Sequence, residues 1–491
     1  MQTITEVHPD FKSFERILYT IMCQIACELI RQYLEWRDCS IMALRDTKSY
    51  RLIDKRETTI KTMMGEVRFS RRYYRNSNGQ YVFLLDESMG FDCGCGLVSE
   101  NLAEQIVNEC TDKSFRKASK SISTLTGQCI SRMGVWNVLQ NYAETIEQQE
   151  QRLKELDESG QNGCLGNISS KVLFEEYDDV WINLQRQNRQ KHSNPTSDRQ
   201  KKAGKYPMHV GTAYTGWSQA KDGRYNTVNK IAYASFGKSN EFVSKFETLL
   251  RHYIDVDGVE HRITGGDGEA WIKTTAAQND SVLQLDPYHR SQAIVKAVKD
   301  KSDRQMLFDS VKKKDVDEVL DTICDLFMKT TDEPTWKKLS ELYNYFSNNR
   351  DSFLTWQERG IKLPEAPAGI TYRSLGVQES SNCSLLTQRM KHRKGSWSKD
   401  GATHMAKILC FKNTIGLDTI LCPLPEPPMC QPSSAPLSAA RTPQNDGKGY
   451  GADWLYAQMP FEKAFKTNGR EAIRNMLRLK SLSTLPFLSG S

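Results

Sequence analysis

Residues 171–182 limit the folds open to this chain more than any other stretch. They read KVLFEEYDDVWI, an apolar strand-forming run interrupted by Glu175, Glu176, Asp178 and Asp179. A carboxylate inside a buried strand is costly unless it is paired or binds a metal ion. Because side chains alternate between the two faces of a strand, Asp178 and Asp179 point to opposite faces. The segment therefore predicts a sheet strand that carries a functional carboxylate on one face.

Two further acids occupy settings that would suit the same site. Asp267 follows a strand in ITGGDGEAWI, where its glycine neighbours let backbone and ligand approach closely, and Glu379 opens an apparent helix in GVQESSNCSLL. Taken alone, an acid in a strand is usually a surface residue and a Gly-Asp-Gly sequence is usually a turn. Together, a strand, a strand end and a helix start can aim three carboxylates at one point. Two Mg²⁺ ions held about 4 Å apart by such a triad support in-line phosphodiester displacement.

The chain around these acids changes character several times. Residues 11–36 have helical periodicity, which favours an amphipathic packing helix over an oligomerisation helix. Residues 57–85 alternate and indicate a small antiparallel sheet. Residues 114–141 predict two helices joined at Gly127, as in a helix-turn-helix, although a plain helical hairpin has the same pattern.

Bulk properties exclude some classes of protein and leave others open. The 491 residues carry a formal net charge of +7, which permits a nucleic-acid partner without requiring one. Charges at Asp10, Glu15 and Arg16 argue against a signal peptide, and no apolar stretch is long enough to span a membrane. The 13 cysteines contain no C-x-x-C pair, so we expect reduced thiols in a cytoplasmic protein.

Seven stretches in a fixed order resemble one family over about residues 55–410. They are TIKTMMGEVRFSRRYYR with LLDE after it, SFRKASKSIS, FEEYDDVWINLQ, YTGW, GGDGEAWIK, LDPYHRSQAI and ESSNCSLLTQRMKHRKGSWSKDGATHM. In these stretches the chain resembles bacterial insertion-sequence transposases of the ISLre family, the Lre-two type, which are distantly Mutator-like. The resemblance implies a DNA transposase with a ribonuclease-H-like core.

The resemblance also implies a set of site residues. It places a catalytic and metal-binding triad at Asp178, Asp267 and Glu379, with two Mg²⁺ ions for which Mn²⁺ can substitute. Asp179, Glu175 and Glu176 stay open as alternatives to Asp178, because this chain has Asp179 where the family pattern has glycine. The D-x-x-H motif of Asp286 and His289 is expected to order the site behind the ligands or to contact DNA, and its alternative is a helix cap with a satisfied histidine.

Basic and aromatic residues form the predicted DNA-binding set. In the helix-turn-helix, Arg132 would meet bases while Lys117 and Lys120 hold phosphates. After Glu379, a basic segment with a nearby indole would hold phosphates near the metal ions and stack on an unpaired base, with a solvated helix end as the alternative. Its residues are Arg389, Lys391, Arg393, Lys394 and Trp397.

The sequence as a whole predicts an α/β multidomain enzyme that binds double-stranded DNA, both transposon ends and target, as a homo-oligomer in the bacterial cytoplasm, associated with the nucleoid. Two rivals remain: an inactive or repurposed DNA-binding regulator, and a ribonuclease-H-like nuclease without strand transfer. The predicted regions are a helical segment at 1–56, a small β region at 57–97, the helix-turn-helix region at 98–165, the first part of the core at 166–290, a helical insertion at 291–365, the second part of the core at 366–420, and a Pro/Ser-rich linker and tail at 421–491.

Overall fold

The computed structural model describes residues 10–91, 98–159, 166–185, 204–377, 382–392 and 395–414. The described residues up to Thr145 form one compact unit, and those from Ile146 onward form a second. The division falls inside a single long helix, earlier in the chain than the boundary expected from the sequence at 165/166.

The first unit begins with a long helix and a small sheet. Its three strands lie in the order β1-β2-β3, and β1 and β2 form an antiparallel hairpin. The strand pairing starts before the predicted residue 57. The sheet packs on the helix around Leu34, Ile60, Val67, Phe69 and Leu85. These elements are α1 (Phe11–Leu44), β1 (Tyr50–Thr62), β2 (Gly65–Asn76), β3 (Tyr81–Val82) and α2 (Leu84–Met89).

Helix α1 departs from the predicted packing helix. The expected inward residues Phe14, Leu18 and Leu29 are exposed by 51%, 47% and 43% of their surface. The helix instead buries Leu34 and Asp38, farther along, against the small sheet. Helical periodicity locates a stripe of apolar residues but does not say what covers it, so this expectation was wrong for the N-terminal half of α1.

Three helices complete the described part of the first unit, and the last continues into the second. Ser114 caps α4 by accepting a hydrogen bond from the Lys117 amide, and α4 ends at Gly127, whose φ of 68° is left-handed. Val135, Val138 and Leu139 of the next helix are buried, as the sequence indicated. The helices are α3 (Glu100–Asp112), α4 (Phe115–Thr126) and α5 (Arg132–Glu158).

The second unit is built on a mixed five-stranded sheet of order β10-β9-β4-β5-β8. The strands β4, β9 and β10 run parallel, whereas β5 lies antiparallel to both β4 and β8. A two-stranded sheet, β6 with β7, extends from β5. The strands are β4 (Val172–Asn183), β5 (Lys205–Tyr214), β6 (Gly216–Gln219), β7 (Tyr225–Val228), β8 (Ile231–Ser235), β9 (His261–Gly266) and β10 (Val282–Leu285).

Apolar residues cover both faces of this sheet. Leu173 and Tyr177 of β4 pack with α6 residues on one face, while Val172 and Phe174 pack with Trp356 and neighbours on the other. A strand buried on both faces is mostly apolar. Each buried acid on β4 therefore needs a hydrogen-bond, ionic or metal partner to offset the cost of its burial. The helices of this unit up to the insertion are α6 (Ser239–Tyr253), α7 (Ala270–Gln278) and α8 (Pro287–Ala297).

The predicted insertion is a helical block with a core of its own, formed by residues such as Leu307, Ile323, Leu339 and Phe346. After it, Thr371 forms an antiparallel β-bridge with Trp217 of β6. The block contains α9 (Lys301–Lys312), α10 (Val316–Lys329) and α11 (Glu333–Asn348), and it is followed by a π-helical turn (Cys383–Thr387), α12 (Gln388–Met390) and α13 (Lys399–Thr414). Across the described residues, no helix combines the length and the apolar character that crossing a membrane requires.

Candidate metal centre

The parallel pairing of β4, β9 and β10 ends at one side of the sheet and brings acidic residues together there. Asp178 lies on β4 just beyond the last residue paired with β9, Glu176. Asp267 directly follows β9, and Asp286 directly follows β10. Carboxyl ends of parallel strands are where open α/β sheets bind ligands, so the strand order itself builds a site here.

Asp178, Asp267 and His289 form a cluster that could hold a metal ion. One ligand atom from each lies within 4.8 Å of the other two. His289 Nε2 is 3.8 Å from Asp178 Oδ2. Carboxylate oxygens and imidazole nitrogens are common metal ligands in proteins. The structure thus brings together two of the three predicted triad acids and adds a histidine.

The two neighbouring aspartates of β4 point to different partners. Asp178 faces Asp267 and His289, whereas Asp179 Oδ1 lies 2.6 Å from His209 Nδ1 on the adjacent strand. This is the alternation expected of a pleated strand. Of the four acids of β4 that the sequence left open, the structure places Asp178 in the cluster.

Asp267 lies in a tight turn that glycine makes possible. Gly268 has a φ of +93°, a left-handed conformation, and a Cβ there would lie 2.5 Å from the Asn349 side chain. In this turn the Asp267 carboxylate accepts a hydrogen bond of 2.9 Å from the Glu269 amide. The glycine lets the chain reverse directly after β9 while holding this carboxylate over the strand end.

The D-x-x-H motif divides into two different roles. Asp286 is the N-cap of α8, where its carboxylate accepts a hydrogen bond of 2.7 Å from the Tyr288 amide. His289, in the first turn of α8, reaches the metal-binding cluster itself. The start of the helix points the His289 side chain toward Asp178, and whether His289 binds the metal or orders its ligands stays a prediction.

Burial and repulsion between the acids shape the charge of the cluster. Burial raises the pKa of Asp267, and the nearby Asp178 and Asp179 charges raise it further. Burial pushes the pKa of His289 down, but the nearby Asp178 carboxylate and the charges of Asp286 and Asp267 outweigh burial, so this pKa is raised. Carboxylates crowded in this way are stabilised as anions by a cation, which suits a metal-binding role.

Glu379, the predicted third acid, lies outside the described residues. The described residues on either side of it are tied to β4. Buried Glu176 accepts hydrogen bonds of 3.1 Å from the amides of both Gly376 and Val377. On the other side, Asn382 Nδ2 donates to Asp178 Oδ2 at 2.6 Å.

Sequence reasoning assigned no role to Asn382 and considered Glu176 only as a substitute ligand. A signal for Asn382 was present, since it follows Glu379 by three positions, the spacing of one helix face. A signal for Glu176 was its even spacing from Asp178, which puts both on one face of β4. Neither signal identified the partner, because both contacts join residues far apart in the chain.

The basic segment after the site is organised differently from its prediction. Arg389 and Trp397 are only 8% and 6% exposed, and the guanidinium lies over the indole at 5.0 Å. The Trp397 amide donates to the Asn183 carbonyl, and its indole N–H donates to the Met390 carbonyl. Trp397 therefore packs at the end of β4 and offers no face to an unpaired base, which corrects that expectation. Lys391 is exposed, and Arg393 and Lys394 lie outside the described residues.

The predicted helix-turn-helix residues belong to the first unit and are accessible. Lys117 and Lys120 lie exposed on α4, and Arg132 is exposed at the first position of α5. Ser131 accepts a hydrogen bond of 3.0 Å from the Gly134 amide, as expected of a helix cap. The local geometry that the prediction needs is present, and DNA recognition by these residues stays a prediction.

Comparison with known proteins places the chain in a family. The model of the uncharacterised protein family UPF0236 matches residues 8–419. The chain belongs to the UPF0236 family. It is 24% identical over 429 residues to the "UPF0236 protein in vanSb 3'region" of Streptococcus gallolyticus, an alignment that covers 83% of this chain and 86% of that protein. All the described elements of the cluster in this UPF0236 chain lie inside the matched range.

Proposed function

We propose that this UPF0236 protein is a DDE-type transposase that cleaves DNA at the ends of an insertion sequence and joins the freed ends to target DNA. Asp178, Asp267 and Glu379 would be its catalytic carboxylates. The observation that carries the proposal is the meeting of Asp178 and Asp267 within 4.8 Å of each other and of His289 at the carboxyl ends of parallel strands.

The sheet topology supports this proposal. Taken from β8, the strand order is β8-β5-β4-β9-β10; β5 is antiparallel to its neighbours β8 and β4, and β4, β9 and β10 run parallel. That is the strand arrangement of ribonuclease-H-like cores, in which the first acid lies on the central strand and the second follows its parallel neighbour. Asp178 on β4 and Asp267 after β9 occupy the corresponding positions.

The contacts of the described residues on either side of 378–381 support Glu379 as the third acid. Glu176 holds the chain before this stretch, and Asp178 accepts a hydrogen bond from the residue after it, Asn382. Both contacts are made by β4 side chains on the face that Asp178 presents to the cluster. The chain is thus anchored to the strand of the first acid on both sides of Glu379.

The donor set suits a hard divalent cation. Carboxylate oxygens are the ligands that Mg²⁺ and Mn²⁺ prefer. A pair of such ions, when bound, would stabilise charge on the attacking and leaving oxygens of the phosphodiester. The protein side chains would then hold the acids in place. Asn382 and the Asp179 amide, at 2.6 and 2.7 Å, fix the orientation of the Asp178 carboxylate, and His289 offsets its charge.

The first unit would supply recognition of DNA. Its exposed Lys117, Lys120 and Arg132 lie on two helices joined through a left-handed glycine, as a helix-turn-helix requires.

A homo-oligomer on DNA is also part of the proposal. The exposed apolar residues of α1, among them Phe14, Leu18 and Leu29, support it because a second copy of the helix could cover them.

The decisive experiment incubates the purified full chain with duplex DNA from the flanks of its own gene, a plasmid target and Mg²⁺. A transposase yields both nicks at defined ends and joined products. Nicks without joined products would favour a ribonuclease-H-like nuclease, and binding without nicks would favour a DNA-binding regulator. The Asp267→Asn variant and a reaction with chelator are the controls, and both should leave the DNA uncut.

A further inference from the structure

The outer part of the β1–β2 hairpin carries a concentration of positive charge that the proposed chemistry does not use. We call residues 50–57 of β1 and 70–76 of β2 the basic ribbon; in the strand register they run from the Tyr50–Asn76 pair to the Glu57–Ser70 pair. Asp54 and Glu57 are its exposed acids. Its exposed cations are Arg51, Lys55, Arg56 and Arg75.

The register of the ribbon sets like charges directly opposite each other. Arg51 pairs with Arg75, Lys55 pairs with Arg72, and Arg56 pairs with Arg71. Like charges at directly opposite positions of an antiparallel ladder destabilise it. The arrangement therefore does not contribute to the stability of the hairpin.

Neighbouring acids neutralise only the cations nearest the core. Arg71 pairs with Asp86, and Arg72 pairs with Asp38. Within the part of the chain that the structure describes, Arg51, Lys55, Arg56 and Arg75 form no ion pair with a carboxylate. Arg75 Nε donates to the Gly79 carbonyl at 3.3 Å, but no carboxylate of the described residues offsets the repulsion between Arg75 and Arg51.

Aromatic rings hold part of the charge in place. Arg56 lies over the Tyr73 ring at 4.4 Å and donates to the Tyr73 hydroxyl at 3.2 Å. Tyr73 packs in turn against Tyr81 and Phe83, with ring centroids 5.9 and 5.8 Å away. A guanidinium fixed in this way loses less conformational freedom when it binds an anion.

Protection of a sheet edge does not account for the pattern. The strand β1 is at the edge of its sheet, and charges on an edge strand discourage pairing with another chain. Arg75, however, lies on the central strand β2, in a register position that also pairs with β3. Edge protection explains the cations of β1 but not the cation placed opposite them.

We propose that the basic ribbon binds the phosphate backbone of double-stranded DNA. Charge complementarity favours DNA as the partner, because its regularly spaced phosphates would offset the repulsion between the cations on opposite strands of the ribbon. The shape agrees, because the major groove of B-DNA, about 12 Å wide, admits a two-stranded β ribbon. None of the residues of the basic ribbon belongs to α4, to α5 or to the metal centre. It adds non-specific affinity to the proposed transposase without reading sequence.

The test measures affinity for a short random-sequence duplex by fluorescence anisotropy over a range of salt concentrations. It uses the full chain in the presence of chelator, so that no cleavage is needed. The variant is Arg51→Gln with Arg75→Gln. The matched control is Lys12→Gln with Arg16→Gln, which removes two exposed cations from α1 of the same unit.

Loss of two phosphate contacts should flatten the plot of log affinity against log salt by about 1.8, since each contact contributes a slope of about 0.9. At about 0.1 M salt this corresponds to affinity roughly 60-fold weaker if the two lines meet at 1 M. The control should change little. The melting temperature of the ribbon variant should stay the same or rise, because a cross-strand repulsion is removed.

Three results would overturn the proposal. Equal losses in the ribbon and α1 variants would show a general charge effect. A lowered melting temperature would show that the arginines stabilise the fold. A larger loss for RNA of the same length than for duplex DNA would assign the ribbon to RNA. Because the assay contains no metal ion, failure of the ribbon proposal and failure of the catalytic proposal are observed separately.

Discussion

Glu176 and Glu175 are adjacent buried glutamates on β4 for which the structure predicts opposite responses to the same substitution. Glu176 accepts hydrogen bonds from the Gly376 and Val377 amides at 3.1 Å and from the Tyr214 hydroxyl. A glutamine keeps the shape of the side chain but turns an NH₂ group toward at least one of these donors. Glu176→Gln should therefore leave a buried donor without an acceptor.

The size of the effect follows from the hydrogen bonds lost. A hydrogen bond to a charged group contributes about 1.5–3 kcal/mol, and an unsatisfied buried donor costs about 1–3 kcal/mol. We expect Glu176→Gln to lower the free energy of unfolding by roughly 2–4 kcal/mol. The Gly376 and Val377 amides should also lose protection against hydrogen exchange, since both donate to this carboxylate.

Glu175→Gln is the matched control, because Glu175 is equally buried on the same strand but points to the other face. Burial raises the pKa of Glu175 to about 7, even though Arg262 lies 2.9 Å away and opposes the shift. A raised carboxyl pKa stabilises the fold fully below its unfolded value near 4.5, and this stabilisation is lost as pH rises through about 7. The loss amounts to about 3 kcal/mol, which Glu175→Gln should abolish.

The two variants are compared by thermal and urea unfolding at pH values of about 5 and 8, and by hydrogen–deuterium exchange of a peptide ending at Val377. Glu175→Gln should be at least as stable as the wild type at the higher pH, since Arg262 keeps its ion pair with Glu247 at 2.9 Å. Unchanged exchange of Gly376 and Val377 in Glu176→Gln would refute the anchoring role. Equal destabilisation by both variants at the higher pH would refute the distinction between the two faces.

Three further predictions, two of them with a matched control substitution, test the site and its surroundings. Asp267→Asn should abolish strand cleavage and the thermal stabilisation by Mg²⁺ while sparing DNA binding, because the amide keeps the shape but loses the charge that holds the cation. Cleavage by a clean preparation of the variant would remove Asp267 from the mechanism. Arg132→Ala should weaken binding to element ends by about 1–3 kcal/mol more than binding to random DNA, whereas Lys117→Ala should weaken both alike. If Arg132→Ala weakened binding to both DNAs equally, α5 would not read sequence. Trp397→Ala should lower the free energy of unfolding by about 3–5 kcal/mol, because it removes a buried aromatic side chain. Trp336 is 54% exposed, so Trp336→Ala should lower it far less. A small loss for Trp397→Ala in urea unfolding would contradict the packing role of Trp397.

Local patterns in the sequence were enough for several elements of the second unit. Apolar runs predicted β4 and the strand before Asp267, β9, and residues 291–365 were predicted as the helical block that contains α9 to α11. Strand β10 and helix α7 were not predicted. β10 has only four residues and is held by its parallel pairing with β9. Such a strand depends on a neighbour rather than on its own pattern, so its short sequence carries little signal.

The sequence by itself determined which acids were candidates, since a carboxylate inside an apolar strand or between two glycines is unusual for local reasons. It could not choose between Asp178 and Asp179, because alternation separates the two faces without saying which one meets Asp267. Only the tertiary structure decided that, through the parallel pairing of β4 with β9. It likewise decided that Trp397 is buried and that Glu176 anchors the chain near residue 376. These outcomes rest on contacts between residues far apart in sequence, whose partners no local pattern specifies.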